Sequence, residues 1–185
     1  IMMALPSIDE NHPDYYALQV LNHIFGASGF GSRLMEEARE KRGLTYGIYS
    51  GLNNYDEAKA LTISTSTQNK TAQEIISVIH NEMTKLHNDD LEEEIKKAKS
   101  YIIGSLPLSL TSTDNIASIL TSLQLNDRPI NYLDQYAEKI NAVTKNDIQL
   151  LAKELLLPKE LTTIIVGSPE KIENYEEIVE IPNVE

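Results

Sequence analysis

The chain has 185 residues, a formal net charge of −12 and no cysteine. That length suits one domain with a substantial core better than two, and the excess of 28 acidic over 16 basic residues would repel a phosphate backbone, so nucleic acid is not an expected partner. Without cysteine there is no disulfide framework, no thiol nucleophile and no thiolate metal site.

The opening residues, with Ile1, Met3 and Leu5 alternating, predict a strand over 1–8. This start reads as the middle of a strand. The chain is therefore expected to be a piece of a longer polypeptide that lacks a neighbouring first strand. An edge left unpaired in that way favours pairing with a second copy. No leader pattern is visible, and the composition leaves the compartment open.

Pro13 and Asp14 suit the first turn of a helix carrying Tyr16, Leu18, Leu21 and Ile24, which Gly26 is expected to stop. Residues 26–31 form a glycine-rich loop. Ser32 is placed to cap a second helix with Leu34, Met35, Ala38, Arg39 and Lys41, ended by Gly43. From Tyr46 the period becomes two, with Tyr46, Ile48, Ser50 and Leu52 on one face, and Leu61, Ile63 and Thr65 alternate after a turn. This predicts a hairpin over 46–67.

Thr71 with Glu74 three residues on predicts a capping box opening a helix through Ile75, Ile79, Met83 and Leu86. Asp89 and Asp90 are expected to start the next helix, interrupted near Gly104 and Pro107. Further helices are predicted over 113–125, 132–140 and 144–155, the last capped by Thr144 with Asp147. Residues 161–166 read as a buried strand. One domain is expected over 1–169, followed by an acidic tail over 170–185.

Most of the chemistry-bearing residues form no convincing site. His80 and His87 are seven apart on one helix, roughly 10 Å along its axis, too far to share one ion. His12 and His23 are separated further along the chain. The run Glu92–Glu94 is accounted for by the charge preference of a helix start. The glycines of 26–31 lack the Gly-Lys-Ser/Thr of a phosphate-binding loop.

The informative stretch is Phe30-Gly31-Ser32-Arg33-Leu34-Met35-Glu36-Glu37-Ala38-Arg39-Glu40-Lys41-Arg42-Gly43-Leu44-Thr45-Tyr46. It resembles the signature of the C-terminal-type inactive domain in the pitrilysin/insulinase family of zinc metallopeptidases, which includes the mitochondrial processing peptidase and bacterial zinc proteases. The family pattern is a glycine-bearing loop, Ser-Arg-Leu, Leu-Arg-Glu-Lys and Gly-Leu-x-Tyr. One position departs from it, because Ala38 stands where the family usually has leucine. Fainter agreement extends the resemblance over roughly residues 1–169.

The resemblance implies an α+β fold, an antiparallel-rich sheet backed by helices on one side, forming half of a clamshell. It implies that Arg39 and Tyr46 contact substrate, lying together on a concave face, with Tyr46 a donor to the oxyanion of an attacked carbonyl. It implies that zinc is held by another domain or subunit through an inverted His-x-x-Glu-His motif. This chain contains no such motif, so alone it is expected to bind no zinc and cut no peptide bond. Two other readings stand beside this one: a non-peptidase structural core protein of the same fold, as in respiratory complexes, and a stand-alone peptide-binding module.

Overall fold

The computed structural model describes residues 1–55 and 57–173. Most of the acidic tail, from 174 on, lies outside the described residues. Four strands, β1 (Met2–Pro6), β2 (Ile48–Asn54), β3 (Lys59–Thr65) and β4 (Thr162–Ile164), make an antiparallel sheet in the order β2-β3-β1-β4. The described residues also form seven α-helices: α1 (Tyr15–Asn22), α2 (Arg33–Met35), α3 (Ala72–Lys85), α4 (Glu92–Ser109), α5 (Thr113–Leu125), α6 (Tyr132–Ala142) and α7 (Lys145–Leu155). The expected α+β class is the one observed.

Alternation along the strands decides which face is covered. Met3, Leu5, Ile48, Leu61 and Ile63 are buried against Leu18, Leu21 and Phe25 of the first helical segment and against Leu34, Met35, Ile75 and Ile79. Each such side chain contributes ~1.5–3 kcal/mol by leaving water. The opposite face is open: Met2, Tyr49 and Ile164 are all exposed.

Gly26 does not stop the first helix. α1 runs on as a wide π turn over His23–Ala27, and Gly26 lies inside it. A Cβ there would stand 2.7 Å from the Ser50 amide nitrogen. The glycine lets this turn approach β2, where Ser50 Oγ donates to Asn22 Oδ1 at 2.6 Å. Helix α2 also widens into a π turn, over Glu36–Glu40. It ends as expected at Gly43, whose φ of +63° suits glycine. The amides of Gly43 and Leu44 return to the carbonyls of Arg39 and Ala38.

Several other expectations are corrected. The Thr71 hydroxyl makes no cap but turns back to the Gln68 carbonyl at 3.0 Å, so the capping box with Glu74 is not formed. Asp89 and Asp90 precede α4, which begins at Glu92. That helix is not interrupted at Gly104 or Pro107. Proline removes one amide in the last turn, and the helix ends two residues later at Ser109. The strand in 161–166 is neither long nor buried: β4 has three exposed residues and, among the described residues, pairs only with β1, along one edge. The Thr144–Asp147 capping box of α7 is formed as predicted.

The α5–α6 turn is held by Arg128. Its guanidinium lies over the rings of Tyr15 (5.1 Å) and Tyr132 (4.9 Å) and reaches Glu10 at 3.3 Å. Asp127, at φ 51°, makes the reversal before it.

Candidate functional site

The residues that the sequence singled out sit at the joint between α2 and β2. The expected strand begins two residues late, at Ile48, and Tyr46 does not share the inward face of Ile48 and Ser50. It is 95% exposed, whereas Ile48 is fully buried. An aromatic ring left so far in water, next to a well-packed strand, is an unspent contact surface.

Tyr46 lines an open cleft of about 590 Å³ together with Ile1, Met2, Tyr49, Ile164 and Val166. The sheet register explains the floor of this cleft. Tyr49 pairs with Ser64, Ser64 with Met2, and Met2 with Ile164, so one outward row crosses all four strands. Three of its four side chains are apolar or aromatic. None of Met2, Tyr49, Ile164 or Val166 was singled out from the sequence. The available signal was that apolar residues occupy both phases of the strands, as in Met2-Met3 and Ile48-Tyr49.

Arg39 is half-buried on the last turn of the α2 segment. Its guanidinium covers the Phe30 ring at 4.3 Å, and its Nε lies 3.6 Å from Glu40 Oε1. The residues lining the Tyr46 cleft do not include Arg39. The Gly43 amide donates to the Arg39 carbonyl at 2.9 Å, three residues before Tyr46, but the two side chains do not line that cleft together.

The other arginine of the motif has a different task. Arg33 Nε and Nη2 donate to the two carboxylate oxygens of Glu94, each at 2.7 Å, and Nη1 donates to Asp89 at 2.7 Å. Two carboxylates hold its pKa above the ordinary arginine range despite burial, which acts the other way as the largest single influence. Arg33 thus ties α2 to α4 and to the turn before it. Glu94, assigned from sequence only to a solvated helix start, is a bidentate partner.

The four histidines are dispersed. His23 packs on Tyr101 at 4.9 Å, and burial lowers its pKa, as it does for His80. His87 Nε2 meets the Leu156 carbonyl at 3.0 Å. Among the described residues no group of three or more His, Asp or Glu side chains is arranged to hold a metal ion. The described residues do not fit a zinc site.

Residues 1–102 match the model of the peptidase M16 inactive domain. The chain belongs to that family. This M16 domain is 30% identical to the uncharacterized zinc protease YmxG of Bacillus subtilis (strain 168), over 84% of this chain and 38% of that protein. It is 30% identical to the uncharacterized zinc protease ML0855 of Mycobacterium leprae, over 76% of this chain and 32% of that one. Among solved structures, the peptidase M16 inactive domain from Pseudomonas fluorescens superposes with a TM-score of 0.78 at 30% identity, covering 86% of this chain and 38% of that one. A chain of Complex III2 from Candida albicans has the same fold, with a TM-score of 0.73 at 17% identity over 86% of this chain and 40% of that one. The M16 domain thus spans about two fifths of the length of these relatives or less.

Proposed function

We propose that this M16 domain is the substrate-contacting, zinc-free half of a zinc metalloendopeptidase. Its partner is a zinc-bearing domain or subunit with the inverted His-x-x-Glu-His motif, in the same polypeptide or a separate one, and the two enclose the peptide. The observation that carries this reading is Tyr46, 95% exposed at the rim of an open apolar cleft. A phenol there is free to donate its proton in a hydrogen bond to a peptide carbonyl and, more strongly, to the oxyanion formed when that carbonyl is attacked. Arg39, held over Phe30, offers a planar set of donors to further carbonyls of an extended chain. The assignment of zinc chemistry to the other half is supported by relatives that are named zinc proteases and are far longer than this domain.

The test is to assemble this domain with its zinc-bearing half and measure peptide cleavage, for the parent and for Tyr46→Phe. Cleavage that needs both halves and slows in the variant supports the proposal. Cleavage by the zinc-bearing half alone, at the full rate, defeats it. No cleavage by either half or by the assembly favours the structural core-type alternative.

A further inference from the structure

We propose that Thr45 and Thr65 form a clip that positions Tyr46 for its contact with substrate, an inference that rests on the role given to Tyr46 above. Both threonines are buried, 8% exposed each, while Tyr46 between Thr45 and Gly47 stands in water. The Thr45 hydroxyl accepts the Gly47 amide proton at 3.0 Å and donates to the Ser66 carbonyl at 2.7 Å. The Thr65 hydroxyl, 3.1 Å from that of Thr45, donates to the Gly47 carbonyl at 2.9 Å. With one proton each, both hydroxyls are satisfied, and both polar groups of the Gly47 backbone are taken.

The consequence falls on Tyr46. The β2–β3 ladder begins only at Ile48, paired with Thr65, so among the described residues no strand pairing holds residues 45–47. The threonine hydroxyls replace the missing ladder. A backbone held on both sides leaves Tyr46 only its side-chain torsions, so its hydroxyl is presented to the developing oxyanion at low entropic cost. Gly47 closes the arrangement from the other side: a Cβ there would stand 2.9 Å from the Tyr49 ring, so residue 47 is kept small where Tyr49 lines the cleft. Two buried threonine hydroxyls facing each other, both spent on the backbone beside one exposed aromatic residue, are more than strand packing requires. Valine would fill the same space at either position.

Two measurements test the clip. In the chain described here, Thr45→Val should speed hydrogen exchange of the Gly47 amide about fivefold, the loss of one hydrogen bond, and Thr45→Ser should restore it. In the assembled peptidase, Thr45→Val should lower kcat with KM nearly unchanged, Thr45→Ser should recover the rate, and adding Thr45→Val to Tyr46→Phe should cost little more than Tyr46→Phe alone. If Thr45→Val does not fold, Thr65→Val removes one of the two hydroxyls that reach the Gly47 carbonyl, at 2.9 Å from Thr65 beside 2.8 Å from Thr45, and carries the kinetic tests. A slow Tyr46→Phe beside a Thr45→Val that cleaves like the parent, or losses that multiply in the double variant, overturns the clip while Tyr46 keeps its role. A Tyr46→Phe that cleaves like the parent removes the role of Tyr46, and with it the clip as a positioning device.

Discussion

Arg33 and Glu94 meet in a two-pronged ion pair, Nε and Nη2 each 2.7 Å from one carboxylate oxygen, across 61 residues of sequence. The arginine side chain is 14% exposed and the glutamate 34%, so the pair is partly shielded from water. Cutting it should loosen α2 from α4. Arg33→Ala is expected to cost about 2 kcal/mol, within the range for charge-assisted hydrogen bonds, because Glu94 and Asp89 lose their partner. Arg33→Lys should recover less than half, since an ammonium cannot span both oxygens. Urea unfolding midpoints at unchanged slope measure both.

Gly26→Ala should destabilise the fold by about 1–3 kcal/mol. The added methyl meets the backbone nitrogen of Ser50 at 2.7 Å, and backbone cannot rotate aside as a side chain can. A control at Gly104, where a Cβ meets nothing within 4 Å, should be neutral or stabilising, because alanine favours a helix interior. Thermal melts of the two variants side by side separate a helix-stop role for Gly26 from a close-approach role.

In the assembled peptidase, Tyr46→Phe removes one hydroxyl and should lower kcat by roughly a hundredfold if that hydroxyl is an oxyanion donor. Arg39→Ala should raise KM as well, because carbonyl gripping acts before the reaction as well as during it. Steady-state kinetics on one peptide separate the two effects. Equal kinetics for parent and both variants, with folding verified, would make these residues scaffold.

The aromatic cluster of α1 and α6 predicts an alkaline limit. Burial pushes the Tyr136 phenol up to about 12, with the charge of ionised Tyr15 and Tyr16 adding to it. Burial also raises Tyr132 and Tyr15. An unfolded tyrosine ionises near pH ~10, so the unfolded chain gives up this proton first. The contribution of Tyr136 to stability is therefore complete below pH ~10 and is lost as the pH climbs towards about 12. Urea midpoints should fall through that window, and Tyr136→Phe should flatten the fall while giving up the 3.0 Å bond to Gln19. An unchanged midpoint from neutral pH to about pH 11.5 would contradict the burial argument.

Local chemistry was enough for the elements whose causes are local. The stop at Gly43 follows from a left-handed backbone, the α7 start from a hydroxyl and a carboxylate three residues apart, and the hairpin from alternation around a polar turn. The motif of residues 30–46 was sufficient to place the family. Tertiary structure decided the rest, because a pattern of apolar residues says which face wants cover and never what covers it. Gly26 has the pattern of a helix end, but it is there because β2 lies against it. Alternation put Tyr46 on the same face as Ile48 and Ser50, yet the ladder begins two residues later and Tyr46 stands in water while those two are buried. Residues 161–166 are as apolar as a core strand, but their short pairing along β1 leaves β4 in water. Arg33 finds its carboxylates 56 and 61 residues away, a distance over which sequence spacing holds no geometric information and only the packing of α2 against α4 and the turn before it brings the charges together.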